Sequence, residues 1–233
     1  MPAVAFPKKK VPRAVALAEL EILERTYPRA QTALHYGNPF ELLIAVILSA
    51  QCTDARVNLT TPQLFAKYPT PERLAKAKLP EVERIVKSCG FFRMKAKNIV
   101  SAAGDLVERF GGEVPRTREE LESLAGVGRK TASVVMSVAF EEPELAVDTH
   151  VFRVAHRLGL TIATTPRGVE DDVKALVPKA KWGHAHHWLI LHGREICKAP
   201  IPLCGRCPVA QLCPTPAILA RAVAAKASAR KRR

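Results

Sequence analysis

Four cysteines near the C-terminus, Cys197, Cys204, Cys207 and Cys213, are separated by six, two and five residues in a proline-containing stretch. Four thiolates in so short a loop suit a compact multivalent ligand, and two fit the donor set: a [4Fe-4S] cluster or a structural Zn²⁺. A second chemical candidate lies upstream, where Leu121 to Ala132 runs through a tight Gly126-Val127-Gly128 turn into Arg129 and Lys130. Glycines allow a sharp turn and close approach of a ligand, and the N–H groups opening the following helix form an anion site suited to a phosphate. Lys130 falls in the first turn of that helix, where the macrodipole disfavours a cation and partial burial would favour the neutral amine further. A neutral lysine is a nucleophile able to form a Schiff base, whereas the plainer reading is a solvated lysine on a phosphate. The third candidate is Asp148 in Val147-Asp148-Thr149-His150, whose ordinary role would be a helix N-cap.

The elements positioning these residues read as helices. Ala14 to Tyr27 carries apolar residues at three- and four-residue spacing. Asn38-Pro39-Phe40-Glu41 combines an N-cap, a first-turn proline and a capping-box glutamate, and launches an apolar helix to about Gln51. That helix is apolar on nearly every face and belongs at the centre of a packing unit. Thr70-Pro71 and Thr165-Pro166 open further helices, Thr117 with Glu120 makes another capping box, and Lys95 to Phe110 stops at Gly111-Gly112. Period-two alternation and Asn-Gly or Asp-Gly hairpin pairs are absent, so the expected class is all-α.

The chain has 233 residues and a net charge of +14. Lys8, Lys9, Lys10 and Arg13 in residues 1–13, with Arg221, Lys226, Arg230, Lys231, Arg232 and Arg233 in residues 221–233, hold ten cations and no acid; removing those ten from +14 leaves +4 for the body. Such arms suit a polyanion such as DNA, or simply keep the chain soluble. The longest apolar run, Leu42 to Ala50, is too short to cross a bilayer, and no secretory signal opens the chain, so an intracellular protein without a membrane partner is expected. With that location, and four of six cysteines crowded together, a disulfide framework is not expected, and Cys52 and Cys89 read as buried structural thiols.

Together these segments resemble the endonuclease III family of DNA glycosylases, in the helix-hairpin-helix superfamily. The resemblance rests on LAGVGRKTA at 124–132, VDTHVFRV at 147–154 and the cysteine spacing, in that order. It is reinforced by LLIAVILSAQCTD at 42–54, KAKNI at 95–99 and HHWLILHGREIC at 186–197, and spans roughly residues 15–213. It implies two helical domains flanking a DNA-binding cleft: a six-helix domain at 32–142 with the hairpin, and a cluster domain from 14–31 plus 143–213. Outside these lie a basic arm at 1–13 and a basic tail at 214–233.

The same resemblance implies a bifunctional glycosylase and abasic-site lyase acting on double-stranded DNA as a monomer, with oxidised pyrimidines as substrates. Lys130 would be the nucleophile at C1′ and Asp148 the carboxylate that stabilises positive charge at the sugar. Gln51 would fill the space of the extruded base and Phe91, where many relatives carry leucine, would wedge the opposite strand. Gly126, Val127 and Gly128 would grip the backbone, and Lys198 would reach phosphates beside a [4Fe-4S] cluster held by the four cysteines. Core packing is the competing reading for Phe91. His184, His186, His187 and His192 read as structural, and His156 replaces an asparagine common at its position. The location implied is cytoplasmic and nucleoid-associated in a bacterium, or nuclear in a eukaryote. Two rivals remain, a monofunctional mismatch glycosylase, which generally lacks a lysine at the position of Lys130, and a non-enzymatic DNA-binding protein with a zinc loop, in which Asp148 would have no task.

Overall fold

A computed structural model describes residues 5–231, and among them every regular element is helical. The chain divides into two compact units. Thr32–Glu144 forms one; the segment up to Gln31 and the segment from Leu145 onward form the other. Each has its own core.

Residues 32–144 hold seven helical segments where six were expected, two of them only five residues long: α2 (Pro39–Ser49), α3 (Asp54–Lys67), α4 (Pro71–Ala75), α5 (Leu79–Val86), α6 (Phe92–Phe110), α7 (Arg118–Glu122) and α8 (Arg129–Ala139). Helix α2 is the hub. Every residue from Leu42 to Leu48 is buried, so it has no solvent face. Its start follows the local chemistry, with the Asn38 side chain accepting from Glu41 N while Glu41 Oε2 accepts from Gly37 N at 2.7 Å. Thr53, Thr70 and Thr117 cap α3, α4 and α7 in the same way. Helix α6 ends at Gly111 with φ +62°, where Gly112 N donates to Leu106 O.

The other unit contains α1 (Arg13–Thr26), α9 (Thr149–Leu158), α10 (Pro166–Lys174), α11 (Trp182–Glu195) and α12 (Thr215–Lys231), with short 3-10 turns at Lys179–Lys181 and Cys204–Arg206. Helix α11 packs on both α9 and α1. Part of the basic N-terminal arm is fixed to this unit. Phe6 stacks on His156 at 4.7 Å, Lys10 pairs with Asp172 at 2.5 Å, Val11 N donates to Gly159 O, and Arg13 donates to Ala175 O. His156 is accounted for as well. Its ring lies between Phe6 and Phe152, and its two nitrogens meet Phe152 O at 2.7 Å and Ala163 O at 2.9 Å. Arg232 and Arg233 of the basic tail lie outside the described residues. No helix among the described residues is long and apolar enough to cross a membrane.

Candidate active site

The hairpin is built from α7, a turn at residues 123–128, and α8. Gly126 has φ +78°, and a Cβ there would lie 2.7 Å from the Asn98 amide nitrogen, so both the backbone and the neighbour demand glycine. Gly128 differs. It is the N-cap of α8 in extended conformation, and a Cβ would meet open space, so what it contributes is an approachable backbone without a side-chain cap. Arg118 ties the hairpin together through Ser133 Oγ at 3.0 Å and Glu144 at 2.6 Å.

Lys130 is the second residue of α8 and is exposed. The partial burial entertained from the sequence is not found: Lys130 is exposed although Ala132, two residues on, is buried.

Asp148 is half-buried in the other unit and caps α9. Its Oδ1 accepts from His150 N and Val151 N, both at 2.8 Å. Cap and carboxylate are therefore compatible roles. One oxygen organises the helix start, and the lone pairs of the other lie outside that cap.

Gln51 and Phe91 come together in residues 32–144. Both are exposed, Phe91 by 70%, and both are non-glycine residues in the left-handed region, at φ 51° and 56°. The turns that carry them touch, since a Cβ on Gly90 would stand 3.7 Å from Gln51 O. Core packing is thereby rejected for Phe91. Two strained, exposed side chains on adjoining turns are an arrangement that core stability would not select.

The four cysteines line one small cavity with Leu158, His192 and Ile196. Burial pushes the Cys207 thiol up to about 11 and the Cys213 thiol up to about 12, so without an electrophilic centre they keep their protons. Arg157, 3% exposed, threads the loop. It donates to Lys198 O at 2.7 Å and Pro200 O at 2.9 Å, approaches Cys197 Sγ at 3.7 Å, and its carbonyl accepts from Cys213 Sγ and Thr215 Oγ1. His192 Nε2 lies 3.6 Å from Cys207 Sγ, and His192 Nδ1 lies 3.4 Å from the Tyr27 hydroxyl. Among the described residues no three His, Cys, Asp or Glu side chains converge closely enough to hold an ion. Lys198 is exposed at the rim of this loop.

Residues 44–179 match the model of the HhH-GPD superfamily of base excision DNA repair proteins. The chain is 50% identical to the endonuclease III of Synechocystis over 197 residues, covering 84% of this chain and 90% of the relative. The chain belongs to the endonuclease III family. Among solved structures it is similar to a non-covalent endonuclease III–DNA complex, with TM-score 0.87 and 44% identity over 91% of this chain and 99% of the other. It is likewise similar to a trapped covalent endonuclease III–DNA intermediate, with TM-score 0.85 and 46% identity over 88% and 97%.

Within this member of the endonuclease III family, sequence reasoning missed Arg153, Arg157 and the contact of His192 with Cys207. Arg153 donates to Cys197 O at 3.1 Å and Gly193 O at 3.0 Å. The available signal was two arginines four apart on the α9 face one turn beyond Asp148, next to a cysteine loop rich in backbone carbonyls. His184 and His186 are accounted for structurally, one stacked on Trp188 and the other bonded to Ala146 O at 2.7 Å. Burial drives His187 down to about 3, so it is neutral in the folded protein.

Proposed function

We propose that this chain is a bifunctional DNA glycosylase and abasic-site lyase of base excision repair in which Lys130 is the nucleophile. The observation carrying this reading is the exposed amine of Lys130 in the uncapped first turn of α8, directly after the Gly126–Gly128 turn, in an endonuclease III chain. Backbone N–H groups at the hairpin tip hold a phosphate, which positions the sugar without reading sequence. The Lys130 Nζ lone pair attacks C1′ and the C1′–N bond breaks, with the base leaving with that electron pair. The second oxygen of Asp148 stabilises the developing positive charge and shuttles the proton that the amine releases. The Nζ lone pair then expels O4′, so that the C1′–O4′ bond breaks, O4′ takes a proton and an iminium forms. This makes the C2′ proton acidic, and its removal breaks the C3′–O bond and expels the 3′ phosphate by β-elimination. Oxidised pyrimidines are the substrates proposed.

Extruding a base leaves a gap in the stack, and the exposed, adjoining Gln51 and Phe91 support filling it and wedging the opposite strand. The four cysteines fit a [4Fe-4S] cluster: all line one cavity, and the buried Arg157 guanidinium offsets the charge of a thiolate-ligated group. Such a cluster, when bound, would cross-link the loop, while Arg153 and Arg157 orient the loop backbone beside it and the exposed Lys198 is free to reach phosphates.

Borohydride trapping on an abasic-site duplex tests the reading. A covalent adduct with wild type, absent with Lys130→Gln, is expected; an adduct on the Lys130→Gln protein would overturn it. Iron and acid-labile sulfide in brown purified protein are expected, and stoichiometric zinc in colourless protein would reject the cluster.

A further inference from the structure

Cys52 and Cys89, read from the sequence as buried structural thiols, have no part in the site described above, and the fold brings the turns that carry them together. Cys52 follows Gln51, and Cys89 stands two residues before Phe91, so each sits in one of the two touching turns. The Cys89 Sγ donates to Thr60 Oγ1 at 3.7 Å, and Cys52 is near enough to act electrostatically on the Cys89 thiol. Cys52 is half-buried at the edge of the core, whereas Cys89 is 0% exposed. Lys95, 4% exposed, brings its cation beside Cys89, and its Nζ has no hydrogen-bond partner. Two thiols on touching turns, 37 residues apart in the sequence, one reachable from solvent and one buried near a cation, have the asymmetry of an attacking and a resolving sulfur.

We propose that Cys52 and Cys89 form a peroxide-responsive dithiol whose disulfide staples the turns carrying Gln51 and Phe91. The oxidant is hydrogen peroxide. The Cys52 sulfur attacks the peroxide, the O–O bond breaks, and Cys52 sulfenic acid and one water form. The Cys89 sulfur then attacks Cys52 Sγ, the S–O bond breaks, and a second water leaves as the S–S bond closes. Two electrons pass from the sulfurs to the peroxide, and a small dithiol reverses the link by exchange. Burial raises the Cys89 thiol above its usual value and the Lys95 cation opposes this, which suits a sulfur that reacts only once its neighbour is oxidised. The consequence for DNA rests on the reading of Gln51 and Phe91 given above. A staple between the turns removes the freedom both side chains need to enter a duplex.

The test treats the cluster-loaded enzyme with hydrogen peroxide, blocks remaining thiols, and maps disulfide-linked peptides by mass spectrometry. This separates Cys52 and Cys89 from the four cluster cysteines. A Cys52–Cys89 linked peptide that disappears with dithiothreitol is expected, and Cys89→Ala should instead accumulate a dimedone adduct on Cys52. Cys52→Ser, at the more tolerant half-buried position, should give neither product. Free Cys52 and Cys89 after treatment, or dimedone-labelled wild type without a link, would overturn the site. Oxidised enzyme should bind an abasic-site duplex several-fold more weakly and recover on reduction. A formed link with unchanged binding would overturn its control of recognition. Unchanged lesion binding by Gln51→Ala and Phe91→Ala would instead reject the reading of those residues and leave the dithiol standing.

Discussion

Replacing Lys130 by alanine removes one amine from an exposed turn and leaves the core untouched. Covalent trapping and strand cleavage should vanish while duplex affinity and melting temperature stay near wild type, measurable on one preparation. Asp148→Asn asks a sharper question, because the amide oxygen still accepts the two N–H groups that Oδ1 serves. The helix start therefore survives and only the charge is lost, and single-turnover base release should slow by about 10²–10³-fold. An unchanged rate would leave Asp148 as a cap. Gln51 and Phe91 act on stability as well as on binding. A left-handed conformation at each non-glycine residue costs about 1–2 kcal/mol, so Phe91→Gly should raise the denaturation midpoint while weakening lesion binding. A glycine that lowers stability would show that the ring contributes packing.

At the scale of elements, the cysteine loop is held less by its own sequence than by α9 and α11. Arg157 supplies several charge-assisted hydrogen bonds to loop carbonyls from a buried position, so Arg157→Ala should cost about 3 kcal/mol or more. The expected result is poor iron retention together with a lowered melting temperature. Glu19 on α1 acts in the opposite sense. It is fully buried with both carboxyl oxygens lacking a hydrogen-bond partner, and burial raises it from 4.5 to about 8. The folded state thus holds a proton that the unfolded chain releases above about 4.5. The stability this gives is present below that pH and is lost progressively as pH rises to about 8. Glu19→Gln should remove that slope, and melting temperatures at pH 5 and pH 8 would show it. Helices that announced themselves in the sequence did so through their starts: Asn38, Thr70, Thr117, Asp148 and Thr165 all cap as expected. Helix α3 was not legible because Pro62 interrupts it and two of its buried positions are threonines, Thr60 bonding back to Arg56 O. Within the site, the hairpin and cysteine loop were legible as contiguous runs. The meeting of the Gln51 and Phe91 turns was not, since it depends on packing between segments forty residues apart.

For the whole molecule, the +14 charge divides unequally in function. The N-terminal arm commits Lys10 and Arg13 to partners within its own unit. Deleting residues 1–10 should therefore destabilise by about 1 kcal/mol, from one ion pair and one aromatic contact. Truncation after Ala220 removes six cations and should instead lower the salt slope of DNA binding by roughly 0.9 for each phosphate that the tail neutralises. An unchanged slope would mean that the tail does not meet the duplex. The unit that uses both ends of the chain also imposes an order of assembly. Helix α1 leaves the ribosome early, yet α11, against which it packs, lies more than 150 residues later. At typical synthesis rates α1 waits roughly ten to thirty seconds for that surface, and Thr32–Glu144 is complete long before then. Cys197, Cys204, Cys207 and Cys213 emerge after α11, so the loop they form can close this half of the protein only late in biogenesis and cannot seed it.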